Sequence, residues 1–250
     1  MGIDESHRIR IQNSLRFAQI MDKKHLVILT GAGISAESGL QTFRDSGGLW
    51  ENVNIEDVAT PRAWRKNPAK VLDFYNYRRQ QVSKAQPNSA HKALAELEKD
   101  FVVSILTQNI DDLHERAGST RVLHLHGEIF SMRSEKDETY RYPCRGDIKL
   151  GDKAEDGAQM RPDIVWFEEP VPAIEQAANI ARTADVFIII GTSLQVYPAA
   201  SLIDFAPKFC PKFLIDKAAF PQEGTKELTV IQKPATEGVE VLRQMLSELK

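Results

Sequence analysis

The run His25-Leu26-Val27-Ile28-Leu29-Thr30 is apolar along its middle and stops at Gly31. A short run of branched residues ended by glycine reads as a strand buried on both faces and followed by a turn. Such a strand needs cover on two sides. Residues 101–106, 186–190 and 213–215 have the same character, and helical stretches at 90–98 and 174–183 lie between them. Strands alternating with helices predict an α/β fold, a Rossmann-like and mainly parallel sheet with helices on both faces. A loosely amphipathic stretch over 9–21 predicts one more helix packed on this core.

Two intervals break the alternation. Residues 40–86 are rich in aromatic and basic side chains, and 128–161 are polar, with Pro143, Gly146, Gly151 and Gly157. Both read as insertions that build a smaller lobe. The expected organisation is a single domain over 1–250, with a larger lobe from 1–40, 87–127 and 162–250 and a smaller one from 41–86 and 128–161.

With 42% hydrophobic and 27% charged residues, a chain of 250 residues can bury one sizeable core. A net charge of -3 and a pI near 6.1 supply no basic field for nucleic acid. No apolar stretch approaches the ~18 residues that span a bilayer. Two distant cysteines, Cys144 and Cys210, form no disulfide framework, which suits a reducing compartment. A cytoplasmic protein without a nucleic-acid or membrane partner is expected, and a monomer suffices.

Gly31-Ala32-Gly33-Ile34-Ser35-Ala36 fits G-x-G-x-x-A after a strand, the turn that brings backbone N–H groups to a dinucleotide pyrophosphate. Glycine turns also arise for steric reasons alone. A dehydrogenase would continue to a second strand ending in an acidic residue ~20 residues on. Here Asp45-Ser46-Gly47-Gly48-Leu49-Trp50-Glu51 follows no apolar run, which argues against hydride transfer.

The longer stretch from Gly31 to Gly39, followed by Thr42-Phe43-Arg44 and Gly48-Leu49-Trp50, resembles the cofactor signature of the sirtuins. Thr107-Gln108-Asn109-Ile110-Asp111, Leu125-His126-Gly127-Glu128, Arg161-Pro162-Asp163-Ile164-Val165-Trp166-Phe167 and Gly191-Thr192-Ser193-Leu194 follow in the family's order. The resemblance covers most of the chain. It implies an enzyme that consumes NAD to remove an acyl group from a protein lysine, giving nicotinamide and O-acyl-ADP-ribose. The implied cofactor contacts are Gly31, Ala32, Gly33, Ala36, Glu37, Thr42, Phe43, Arg44, Gln108, Asn109, Ile110, Asp111, His126, Gly191, Thr192, Ser193, Asp216 and Ala235.

Among these, His126, Asn109 and Asp111 are implied to be catalytic, with Gln108, Asn109 and Asp111 around the nicotinamide and its ribose. His126 would be the base for a ribose hydroxyl, and imidazole titrates in the range that step needs. His124 would point to the same side of an extended segment, so only the His-Gly match selects His126. Phe43 and Arg44 would lie on a loop that closes over the cofactor. Val165-Trp166-Phe167 resembles the segment that takes a substrate peptide as an added strand, although its apolar pattern also suits a core strand.

Ala59, Tyr75 and Arg78 resemble the acyl pocket of the class III sirtuins, which remove succinyl, malonyl and glutaryl groups. Tyr75 and Arg78 share a helix face, and a phenol with a guanidinium suits a carboxylate. An acidic acyl preference is therefore expected, with weaker action on acetyl.

Most sirtuins hold a structural zinc with two C-x-x-C pairs between the His-Gly and Trp-Phe motifs. This interval has Cys144 alone and no histidine, so no zinc is expected, and Tyr140, Tyr142 and Ile148 would pack the lobe instead. Gln41, Glu168 and Asp216 stand where the family often has proline, glycine and asparagine. Two other readings remain: mono-ADP-ribosyl transfer, against which the retained His126 counts, and a module that binds NAD or ADP-ribose without turnover.

Overall fold

The computed structural model describes residues 23–41, 49–50, 53–218 and 228–248. The helix expected over 9–21 and the residues Thr42, Phe43, Arg44 and Gly48 lie outside them. In chain order the strands are β1 (His25–Thr30), β2 (Leu49–Trp50), β3 (Val53–Asn54), β4 (Val102–Thr107), β5 (Val122–His124), β6 (Gly127–Ser134), β7 (Arg141–Pro143), β8 (Met160–Ile164), β9 (Val186–Ile190), β10 (Lys212–Ile215) and β11 (Leu228–Ile231).

Six strands form a parallel sheet in the order β11-β10-β9-β1-β4-β5. The fold is therefore α/β and Rossmann-like. Alternation along β1 sends Leu26 and Ile28 to one face and Val27 and Leu29 to the other, and both faces are apolar because helices cover both. The helices Ser89–Glu96 and Ala235–Ser247 pack the first face, and Ile174–Ala181 with Leu202–Phe205 packs the second.

Neither β5 nor β11 announced itself in the sequence. Each is short and lies at an edge of the sheet, where partial exposure admits polar residues among the apolar ones.

The polar stretch 128–161 also hides strands. β6, β7 and β8 make an antiparallel sheet in the order β7-β6-β8, packed against the helices Pro61–Lys66 and Pro68–Lys84. Ile129, Ile148, Met160 and Ile164 are buried there with Trp64, Leu72 and Tyr75, and Tyr140 and Tyr142 pack on the same cluster. Arg79 is fully buried in this region; its guanidinium donates to the carbonyls of Ile129 (2.8 Å) and Gly146 (3.3 Å) and to Asn76 Oδ1 (2.8 Å). One side chain thus ties the helix, β6 and the loop after β7 together.

Candidate active site

β1 stands between β4 and β9, so connections leave it in opposite directions and a crevice opens at the C-terminal ends of these three strands. Backbone bonds carry the pairing one step past the strands. Gly31 N donates to Ile190 O (3.0 Å), Gln108 N to Thr30 O (2.9 Å), Gly191 N to Ile215 O (2.8 Å) and Leu125 N to Thr107 O (2.8 Å). The loops enter the crevice already fixed relative to one another.

The first and last motifs meet here. Gly33 N donates to Gly191 O (2.9 Å), and a Cβ on Gly33 would lie 2.6 Å from Gly191 Cα. Gly191 itself has φ +65°, a conformation that only glycine adopts freely. These glycines let two loops touch backbone to backbone, a role beyond the ligand approach expected of Gly31 and Gly33. Gln108 Nε2 bonds Thr192 Oγ1 (3.2 Å) on the same side, with Ser193 next to it and Asp216 at the end of β10.

Glu37 is committed elsewhere, accepting from the amide and hydroxyl of Thr236, beside Ala235 at the start of the last helix. The structure brings Glu37 and Ala235 together through a residue absent from the motif reading. Ala32 and Ala36 lie in the short helix Ala32–Ala36, and the Ile110 carbonyl accepts from Ile129 N (2.8 Å).

Asn109 is held on several sides. Its amide donates to Thr107 Oγ1 (3.0 Å), and its Nδ2 donates to Gly31 O and Ser35 Oγ, both at 3.1 Å. Ser35 in turn donates to Asp111 Oδ2 (3.0 Å), whose other oxygen accepts from Leu113 N (3.2 Å). Burial pushes the Asp111 carboxyl above the ordinary range, and those two bonds offset only part of the shift. Ser35 therefore links two candidate catalytic residues, although the sequence offered it only as a letter inside the glycine motif. Behind them, Thr30 Oγ1 bonds Thr107 Oγ1 (2.9 Å) and His114 Nε2 (3.0 Å), all buried.

The two histidines separate clearly. His126 Nδ1 lies 3.0 Å from Gln108 O, which fixes that nitrogen as the protonated one, and Nε2 has no hydrogen bond among the described residues. Burial lowers the His126 pKa, so the ring is neutral at neutral pH with a lone pair on Nε2. His124 has both nitrogens engaged, with Asn109 O and with Glu115 Oε1. His124 therefore presents no free ring nitrogen to a ligand in the crevice.

Gly127 has φ +82° and lies against Asp163, so β6 and β8 approach directly behind His126. Val165 N then donates to His126 O (2.9 Å). The segment Val165-Trp166-Phe167 lies past the end of β8 and is neither a core strand nor an open edge with its amides available. Trp166 N is bound by Glu169 Oε2 (2.9 Å) and Phe167 N by Ala59 O (3.0 Å), whereas the Val165 carbonyl has no bond among the described residues. Trp166 is buried, and Phe167 is 43% exposed.

Ala59, Tyr75 and Trp166 belong to one buried cluster. Tyr75 and Arg78 are buried together on the helix Pro68–Lys84 rather than on a solvated face, and burial pushes the Tyr75 phenol well up. Arg78 donates to Gln81 Oε1 (3.2 Å) and Gln41 O (3.3 Å), and its charge reaches both Tyr75 and Asp111. Arg161 stacks 3.2 Å from the Trp166 ring centre and forks onto Glu169 at 2.7 and 3.0 Å. It orients the tryptophan that packs in the cluster with Ala59 and Tyr75. The motif named Arg161 without showing its work, because Glu169 and the Trp166 ring meet it only in three dimensions.

Cys144 donates its thiol to Gly146 O (3.3 Å), and among the described residues no group of three or more His, Cys, Asp or Glu side chains is arranged to hold a metal ion.

Comparison with known proteins gives one consistent picture. The model of the Sir2 family matches residues 31–198. An NAD-dependent protein deacylase of Helicobacter pylori is 55% identical over 226 residues, covering 90% of this chain and 97% of the relative. One from Bacteroides thetaiotaomicron is 50% identical over 229 residues, covering 89% and 98%. A solved complex of a Sir2 homologue with NAD superposes with a TM-score of 0.81 at 38% identity, over 95% of each chain.

Proposed function

The chain belongs to the Sir2 family and is by that kinship an NAD-dependent protein deacylase; on that premise we propose that it removes succinyl and malonyl groups from protein lysines, and acetyl more weakly. The observation that carries the acidic preference is the burial of Tyr75 and Arg78 on one helix face, beside Ala59 and within charge reach of Asp111. A guanidinium removed from water beside a phenol favours a carboxylate over a methyl group.

NAD supplies an activated ribose once nicotinamide leaves. The donor set fits such a dinucleotide: small residues at Gly31 to Gly33 and Gly191, hydroxyls at Thr192 and Ser193, amides at Gln108 and Asn109, and a carboxylate at Asp216, all at the ends of adjacent strands. Asn109 and Asp111, fixed through Ser35, orient the reacting end. His126 Nε2 accepts the proton of a ribose hydroxyl, and the Gln108 carbonyl steadies the imidazolium that forms. Thr42, Phe43 and Arg44 belong to the proposed cofactor loop, and Val165 with Phe167 to the peptide groove. The Val165 carbonyl is the acceptor open to a bound peptide. The small lobe in this reading has no structural zinc; the Cys144 thiol and the Arg79 guanidinium are spent on backbone carbonyls there.

The test is nicotinamide release with matched succinyl- and acetyl-lysine peptides. The wild type is expected to favour succinyl, and Arg78→Met to cut succinyl turnover ~10- to 100-fold more than acetyl turnover, the range for losing a charge-assisted bond. Equal loss on both peptides contradicts the acidic preference.

A further inference from the structure

His124 is bound at both ring nitrogens: Nδ1 lies 2.9 Å from Asn109 O, and Nε2 lies 2.9 Å from Glu115 Oε1. Both partners only accept. A carbonyl has no proton, and although burial raises the Glu115 carboxyl, its bond and charge pairing with His124 bring it below the ordinary range. A neutral imidazole has one N–H and satisfies one of the two acceptors, leaving a lone pair facing the other. The imidazolium satisfies both.

We propose that His124 is a positioning residue whose imidazolium clamps the Asn109 carbonyl, and that loss of its proton loosens the loop carrying Asn109 and Asp111 and shuts down NAD cleavage at alkaline pH. This rests on the deacylase reading of the site. The other partners of Asn109 are Thr107 Oγ1, Gly31 O and Ser35 Oγ, all neutral, so among these holds His124 is the one that titrates.

The charged and titratable groups around His124 support the clamp. The helix Leu113–Ala117 presents Glu115 and His114, β6 presents Glu128, and the loop before the helix presents Asp111. Burial lowers the His124 pKa, but Glu115, the Asn109 carbonyl and Glu128 outweigh it and the net shift is upward. His114 is kept neutral chiefly by burial, with the charge of His124 acting in the same direction, so it does not compete for the proton. His126, two residues on, has a single carbonyl partner and is shifted the other way. Neighbouring histidines thus hold opposite charge states in the same pH range, one as the base and one as the clamp.

The experiment compares the pH dependence of kcat/KM for NAD, from about pH 5.5 to 9.5, in the wild type, Glu115→Gln and His124→Gln with a succinyl-lysine peptide. The wild type is expected to lose activity on the alkaline side. Glu115→Gln removes the carboxylate that holds the proton, so this limb moves to lower pH. His124→Gln keeps a donor without a titratable proton, so the alkaline limb disappears while KM for NAD rises several-fold more than kcat falls. A merely structural role lowers activity by one factor at every pH and leaves both limbs in place, and that result overturns the clamp, as does a wild type without an alkaline limb. If His124→Gln does not fold, the partly exposed Glu115→Gln carries the test. A wild type that releases no nicotinamide with any acyl peptide refutes the deacylase reading instead. The clamp is then read from NMR titration of the His124 ring nitrogens, and a ring that loses its proton below the ordinary histidine range overturns it.

Discussion

Glu168 has φ +72°, in the left-handed region where a side chain costs ~1–2 kcal/mol. The family often has glycine there, and the backbone now gives the reason: the chain reverses after Phe167 so that Glu169 can reach back to Trp166 N. Glycine would relieve the strain but return ~0.5–1 kcal/mol through greater freedom in the unfolded chain. Glu168→Gly is therefore expected to stabilise the fold by up to ~1 kcal/mol in urea unfolding, whereas Glu168→Val, with a branched Cβ, should destabilise it. The histidines show the same dependence on surroundings. His124 and His126 are equivalent as letters, and they differ because one meets a carboxylate as well as a carbonyl.

At the scale of elements, the three-stranded sheet depends on the helix Pro68–Lys84. Its residues Asn76 and Arg79 reach β6 and the loop after β7, with Asn76 Nδ2 bonded to Ile148 O and Asn76 Oδ1 accepting from Ile148 N, both at 2.9 Å. Removing a buried cation that serves several acceptors leaves those acceptors unpaired, at a cost of ~3 kcal/mol. Arg79→Met should lower stability by about that amount and speed hydrogen exchange in β6 and β8 before β1 or β4. In the wild type, a metal chelator should leave the unfolding curve unchanged. A chelator-induced shift would overturn the zinc-free reading. The sequence places Tyr75 and Arg78 on one helix face, but the burial of the arginines was not legible: Arg78 and Arg79 look like a solvated pair until a sheet packs over them.

Across the whole molecule, buried histidines couple the fold to pH. His91 is lowered to about 4, chiefly by burial, and His114 is lowered well below the ordinary value for the same first reason, the two rings lying 4.9 Å apart. Between about pH 6.5 and 4 the unfolded chain binds protons that the folded chain refuses, so stability falls as pH falls. His91 alone should make the protein ~2 kcal/mol less stable at pH 5 than at pH 7, a difference measurable by urea unfolding at the two values. Burial raises the carboxyls of Asp111 and Asp163, which act in the opposite direction towards the acid end of that window. A flat stability profile from pH 7 to 5 would contradict a neutral buried pair.

The α/β class, the glycine turn and the order of the motifs were readable from the chain because they depend on neighbours a few residues apart: apolar runs, turn residues and short spacings. The three-stranded sheet β7-β6-β8 was not, since its strands carry polar residues and are recognisable only by the partners they pair with. Likewise, the difference between His126 and His124 exists only because Gln108, Asn109 and Glu115 are brought from other elements to their ring nitrogens. Local pattern specifies which elements form. The protonation and burial of a side chain depend on the field and packing around it, and those exist only once distant segments have come together.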